Sequence, residues 1–308
     1  MNQKIKFFLG LWTAIIAIST AAILIRFAQS GLSSLTIATF RMILSSVFLT
    51  PIFFTKHLKE MKLVLKTKTC LLVIVSGFFL ALHFYSWVSS LEYTNVTSSV
   101  VLVTTTPIWV SIISWFWLKE KIRRGFWIGL LVAMIGTIAI TKVGTVSSLA
   151  AADGQLGIKG NILALIGAWC AAGYVVIGKK VRESLSTIAY IFLVYSCSAI
   201  FLLIIAFVSG QQLIITTFSD WLWLVLLALV PQLIGHSLIN WALGVHPAAR
   251  VSIALLGEPV GASLLAWIFL REIPNGMEVI GGSLILIGIY LALISDSGET
   301  TKKVTPLD

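Results

Sequence analysis

Glu258 stands between Gly257 and Pro259 in a long apolar run, about eight residues from its start at Val251. Arg41, His83 and His236 are set in apolar runs in the same way. Ionisable groups in such surroundings are costly, so each is a candidate for binding or proton chemistry. Pro259 cannot donate to a helix ladder and frees a carbonyl, and an acid beside it suits proton transfer or recognition of an amine. Arg41 suits an anionic group. Gln232, His236 and Asn240 recur every four residues, which puts all three on one helical face. Ser76, Phe79, His83, Ser86 and Ser90 form a comparable stripe. Trp109 and Trp169 fall mid-run, where they either line a cavity for an aromatic or amphipathic solute or fill space between helices.

Plain structural roles compete with each of these. A membrane histidine can simply hydrogen-bond a neighbouring helix. Glu258 can cap freed backbone or pair with Arg41. Arg41, about six residues inside the end of its run, can snorkel to the interface. The spacing of a metal or hydrolytic centre is missing: histidines 57, 83, 236 and 246 are scattered, no HExxH occurs, and Cys70, Cys170 and Cys197 show no CxxC. No catalytic residue, metal or cofactor is expected.

The positioning elements follow from composition. Hydrophobic residues make up 58% of the 308 and charged residues 11%, against roughly 25% charged in soluble domains. With a mean hydropathy of +1.00, the chain cannot cover a water-soluble surface. Ten runs approach the roughly 20 residues that a bilayer crossing needs: 7–28, 35–54, 69–90, 96–118, 125–141, 159–178, 188–209, 221–243, 251–270 and 277–294. The gaps are too short for a soluble catalytic domain. Alternating β-barrel patterning is absent, so the spans are helices.

Of the 22 Lys and Arg residues, 17 fall on one face of this arrangement; Arg26, Lys142, Lys159 and Arg271 fall on the other, and Arg41 lies within a span. The positive-inside rule therefore places both termini in the cytoplasm. It also explains the net charge of +10 without a nucleic-acid partner. The partners expected are a small-molecule solute and the lipid bilayer, for a monomer or, as the alternative, a homodimer.

The sequence repeats itself. TTPIWVSIISWFWLKE matches GEPVGASLLAWIFLRE at an offset of 152, pairing Pro107 with Pro259, Trp115 with Trp267 and Glu120 with Glu272. Gly129 and Gly281, then Gly136 and Gly288, continue the match; upstream, His83 pairs with His236 at 153 and Trp87 with Trp241 at 154. A duplicated five-helix unit has an odd number of crossings, so the second copy enters the membrane inverted. The expected fold is an all-α integral membrane protein of ten transmembrane helices in two inverted five-helix repeats. Residues 1–142 form the first repeat, 143–158 an extracytoplasmic Gly/Ser/Ala-rich linker, 159–296 the second repeat and 297–308 a cytoplasmic tail. Inverted symmetry places His83 and His236 on opposite sides of the midplane, both near a central cavity. Such a pair of repeats suits alternating access, with a passive channel or an inert scaffold as the other readings.

These residues resemble the drug/metabolite transporter superfamily, in particular the ten-helix EamA type. The matching pieces are Trp12, IATFRMILSS with Arg41, SSLEYTNVTSSVVLVTTTPIW and LKE in the first half. In the second half they are the Trp169 region and WALGVHPAARVSIALLGEP with FLRE, Gly281 and Gly288. The resemblance implies a secondary transporter of a small metabolite, an amino acid or related organic solute, exporting or exchanging it across a bacterial inner membrane. An uncoupled facilitator remains the alternative, and a membrane-embedded lipid enzyme a remote one.

Overall fold

The computed structural model describes residues 3–65, 68–94, 96–148, 154–270 and 276–295. Among these the chain is all helical. Eight helices are long and apolar enough to cross a membrane: Ile5–Ala28, Ser34–Lys56, Thr69–Tyr93, Ser99–Leu118, Gly157–Val181, Thr187–Val208, Phe218–Val245 and Ala248–Leu265. Two shorter apolar helices, Arg124–Ala139 and Val279–Ser295, take the fifth and tenth places. We number these ten as spans in chain order. A short helix, Leu58–Val64, joins spans two and three.

Local chemistry sets the span starts. Ser33 caps span two by accepting from the Thr36 amide, and Ser186 caps span seven by accepting from the Ala189 amide. Such caps satisfy amides that have no partner in the first turn. Thr217 and Asp220 form a reciprocal capping box at the start of span eight.

The interiors of three spans are irregular. Span four ends in a π-helical turn, Ser114–Leu118, closed by Lys119 at φ 56°. Span eight passes through a π-helical stretch, Ala228–His236, that contains Pro231. Proline removes one ladder donor, and widening to π geometry accommodates the loss. Span nine tightens to a 3-10 turn over Ile253–Gly257, immediately before Glu258 and Pro259. Span three, the counterpart of span eight, is one continuous α-helix.

The crossing of spans five and ten displays the inverted symmetry. A Cβ on Gly129 would stand 2.5 Å from the Gly288 carbonyl oxygen, and one on Gly136 would stand 2.5 Å from that of Gly281. Exchanging each glycine for its repeat equivalent turns the first contact into the second. The two helices touch backbone to backbone there, a close approach that only residues lacking a side chain permit.

The main apolar core lies among spans one, two, three, six, seven and eight, with a smaller cluster at spans five, nine and ten around Phe126, Leu130, Ile253 and Ile285. Large apolar side chains such as Leu131, Ile200, Phe207 and Ile287 face outward. On a water-soluble protein they would form an anomalous patch; here they are the face presented to lipid.

The sequence-based boundaries shift in one region. Span five's helix continues to Ser148 and span six's begins at Gly154, so the expected linker is helical at both edges. The middle of that linker, Arg271, Glu272 and the tail 297–308 lie outside the described residues.

Candidate functional site

A central cavity of about 40 Å³ draws its walls from both repeats. Span three contributes His83 and Trp87, span four Thr106, span six Tyr174, span eight His236 and span nine Glu258. His83 and His236 thus reach the same space from helices running in opposite directions.

The imidazole of His83 is oriented by its surroundings. Its Nδ1 lies 2.9 Å from the Gly167 carbonyl, which can only accept, so Nδ1 carries the proton and Nε2 is left as an acceptor. Its ring stacks parallel to Trp87 at 5.9 Å. His236 meets the edge of Phe84 at 5.5 Å, and its carbonyl accepts from Asn240 Nδ2 at 2.7 Å.

Glu258 begins the helical segment that follows the 3-10 turn. Its backbone carbonyl accepts from Ser19 Oγ at 3.2 Å, tying span nine to span one. Its side-chain Oε1 has no hydrogen-bond partner among the described residues. The repeat counterpart, Thr106, donates its hydroxyl to Val103 O at 2.7 Å and to Ala168 O at 3.3 Å. One half therefore presents a satisfied hydroxyl where the other presents an unsatisfied carboxyl.

Arg41 does not snorkel. It is fully buried, its Nε donates to Gln232 Oε1 at 2.9 Å, and its guanidinium lies 4.0 Å above the Phe84 ring. An aromatic face and an amide acceptor on neighbouring helices hold the cation inward more closely than the interface could. Two of its nitrogens and Glu258 Oε1 remain unpartnered among the described residues, so the two charges form no ion pair. Gln232 and Asn240 stand behind the cavity wall: Gln232 holds Arg41, and Asn240 Nδ2 donates to the Tyr174 hydroxyl at 2.5 Å.

Trp109 and Trp169 sit apart from the cavity. They meet edge to face at 5.2 Å, and Trp169 is 54% exposed on the outer surface. Trp12, in the first helix of the other repeat, is 50% exposed as well. Tyr174 and Thr106 line the cavity without having been singled out from sequence. Tyr174's only sequence signal is a phenol in the middle of a span.

The comparisons with known proteins agree with this architecture. The EamA-like transporter family matches twice, over residues 6–142 and 158–294, two stretches of equal length whose starts are separated by the repeat offset of 152. This chain belongs to the EamA-like transporter family. It is 29% identical over 208 residues to the uncharacterized transporter YetK of Bacillus subtilis, covering 66% of this chain and 61% of YetK. It is 30% identical over 146 residues to the S-adenosylmethionine uptake transporter of Rickettsia felis, covering 46% and 48% of the two chains. A solved crystal structure with 17% identity superposes with a TM-score of 0.72 over 94% of this chain and 97% of the other, which shows a shared fold. The chain is a multi-pass membrane protein of a transporter family.

Proposed function

We propose that this protein is a secondary transporter that moves an amino acid or related small organic solute by alternating access, exporting or exchanging it across the bacterial cytoplasmic membrane. The carrying observation is the central cavity, to which each inverted repeat contributes an equivalent histidine. Its 40 Å³ is far below the roughly 300–1,000 Å³ of pockets that hold small-molecule ligands. Solute entry therefore requires the walls to part, and rocking one repeat against the other opens them to each side in turn. The relative named for S-adenosylmethionine, itself an amino-acid derivative, supports the substrate class.

In this reading the basic face and both termini are cytoplasmic, His83 and His236 hydrogen-bond the solute, and Glu258 carries the proton or meets a solute amine. The chain acts as a monomer. Counterflow in proteoliposomes is the test: vesicles preloaded with unlabelled amino acids should transiently accumulate the labelled solute above equilibrium. Non-saturating flux without counterflow overturns the carrier and leaves an uncoupled facilitator.

A further inference from the structure

A second concavity lies away from the central cavity, between spans two, seven and eight at their basic-face ends. It encloses about 740 Å³. Ile52, Ile188, Leu233 and Leu238 line it, and Lys56 and His57 stand at its rim. Ile52 and Ile234, another lining residue, are 44% and 45% exposed on the outer surface, so the groove opens sideways toward the bilayer.

Ser237 is among the lining residues, and its repeat equivalent by the offset that pairs His83 with His236 is Phe84. Phe84 is fully buried and fills its place against Arg41. At the corresponding position of span eight the small side chain of Ser237 lines the groove instead. The two repeats thus differ by one filled and one open seam.

Lys56 makes the rim cationic, and two more lysines follow it along the chain. Lys56, Lys59 and Lys62 are all exposed along the end of span two and the short helix after it. Glu60, the acid among them, does not neutralise that face. Its carboxylate turns inward, accepting from the Ser186 amide and hydroxyl at 2.8 Å each and meeting His57 Nδ1 at 2.7 Å. An apolar trough with Lys56 at its rim, followed along the chain by two exposed lysines, suits an amphiphile with an anionic head.

We propose that this groove binds an anionic phospholipid of the leaflet on the basic face, one acyl chain along Ile52, Ile188 and Leu233 and the headgroup phosphate against Lys56. The apolar wall alone would accept any acyl chain, so the lysines supply the preference for charge. The assignment concerns a lipid at the outer flank of span eight and is independent of which solute the central cavity carries.

The test is reconstitution into bicelles holding phosphatidylglycerol and phosphatidylcholine in equal amounts, followed by re-extraction and counting of retained lipid by native mass spectrometry. Wild-type protein should retain one phosphatidylglycerol per chain in several-fold excess over phosphatidylcholine. Lys56→Glu, an exposed change that leaves packing alone, should cut that preference about fivefold or more, since one basic residue near an anionic surface has about that effect. Ser237→Phe should abolish retention of both lipids by filling the seam, and Leu233→Trp provides the same block should the first variant fold poorly. Equal retention of the two lipids by wild type overturns the proposal, as does unchanged retention in Lys56→Glu and in the filled-groove variant.

Discussion

Gln29 and Arg182 occupy the same place in the two halves, at opposite faces of the protein. Each follows the first helix of its repeat and donates to a hydroxyl five residues on: Gln29 Nε2 to Ser34 Oγ at 3.0 Å, Arg182 Nη2 to Thr187 Oγ1 at 2.7 Å. Each also reaches a backbone carbonyl of the third helix of its repeat, Val88 O at 3.0 Å and Asn240 O at 3.1 Å. A neutral amide and a guanidinium thus make one clamp twice, fastening the first three helices of each repeat. The charged version lies on the basic face, where the positive-inside rule favours a cation.

That clamp belongs to a topology that labelling can test. In a background with Cys70, Cys170 and Cys197 replaced, single cysteines at 56–62 or 120–124 should react with impermeant maleimide only from the cytoplasmic side. Cysteines at 92–94 should react only from outside. External labelling at 120–124 would contradict the ten-span arrangement.

Replacing either cavity histidine should slow transport without emptying the membrane of protein. Loss of a hydrogen bond to solute is worth about 1 kcal/mol, or roughly fivefold. His83→Ala or His236→Ala should therefore reduce initial counterflow rates by at least that factor at unchanged expression. His83→Gln should be milder, since its amide can still meet the Gly167 carbonyl. Wild-type rates in both alanine variants would leave the pair a packing role alone.

Glu258→Gln separates coupling from passage. A carboxyl that carries the proton is indispensable for accumulation driven by a pH gradient, but exchange of solute for solute releases no net proton. The variant should lose gradient-driven accumulation and keep exchange. Accumulation equal to wild type would remove Glu258 from the coupling step.

Glu60 makes stability depend on pH. Partial burial alone would raise its pKa, but bonds from His57 and from the Ser186 amide and hydroxyl outweigh that and hold it below the usual carboxylate value. A depressed folded-state pKa stabilises fully above the unfolded value of about 4.3, and the benefit fades as pH falls through the folded value. Melting in detergent should show Glu60→Ala less stable by about 1–2 kcal/mol at neutral pH, with the gap closing below pH 4. A gap that persists undiminished at pH 3 would assign the effect to packing.

Much of this molecule is written in one dimension. Hydrocarbon-length runs and the distribution of lysine and arginine depend only on composition along the chain, because the bilayer acts on each segment by its own polarity. The repeat offset, and with it the inverted pairing of His83 with His236, needs no coordinates either. Which way a side chain turns is another matter. In lipid both the outer face and most of the helix interface are apolar, so no apolar stripe marks the buried side as it does in water. Arg41 and Trp169 show the consequence: sequence offered the interface, an anionic group or Glu258 for the first, and a cavity or the space between helices for the second. Packing put the cation against Phe84 and Gln232 and the indole on the outer surface. Tyr174 lines the cavity while its hydroxyl accepts from Asn240, 66 residues away along the chain, and Ser237 lines a groove assembled from three separate spans. These depend on the rotation and separation of whole helices, which close packing among all ten decides together.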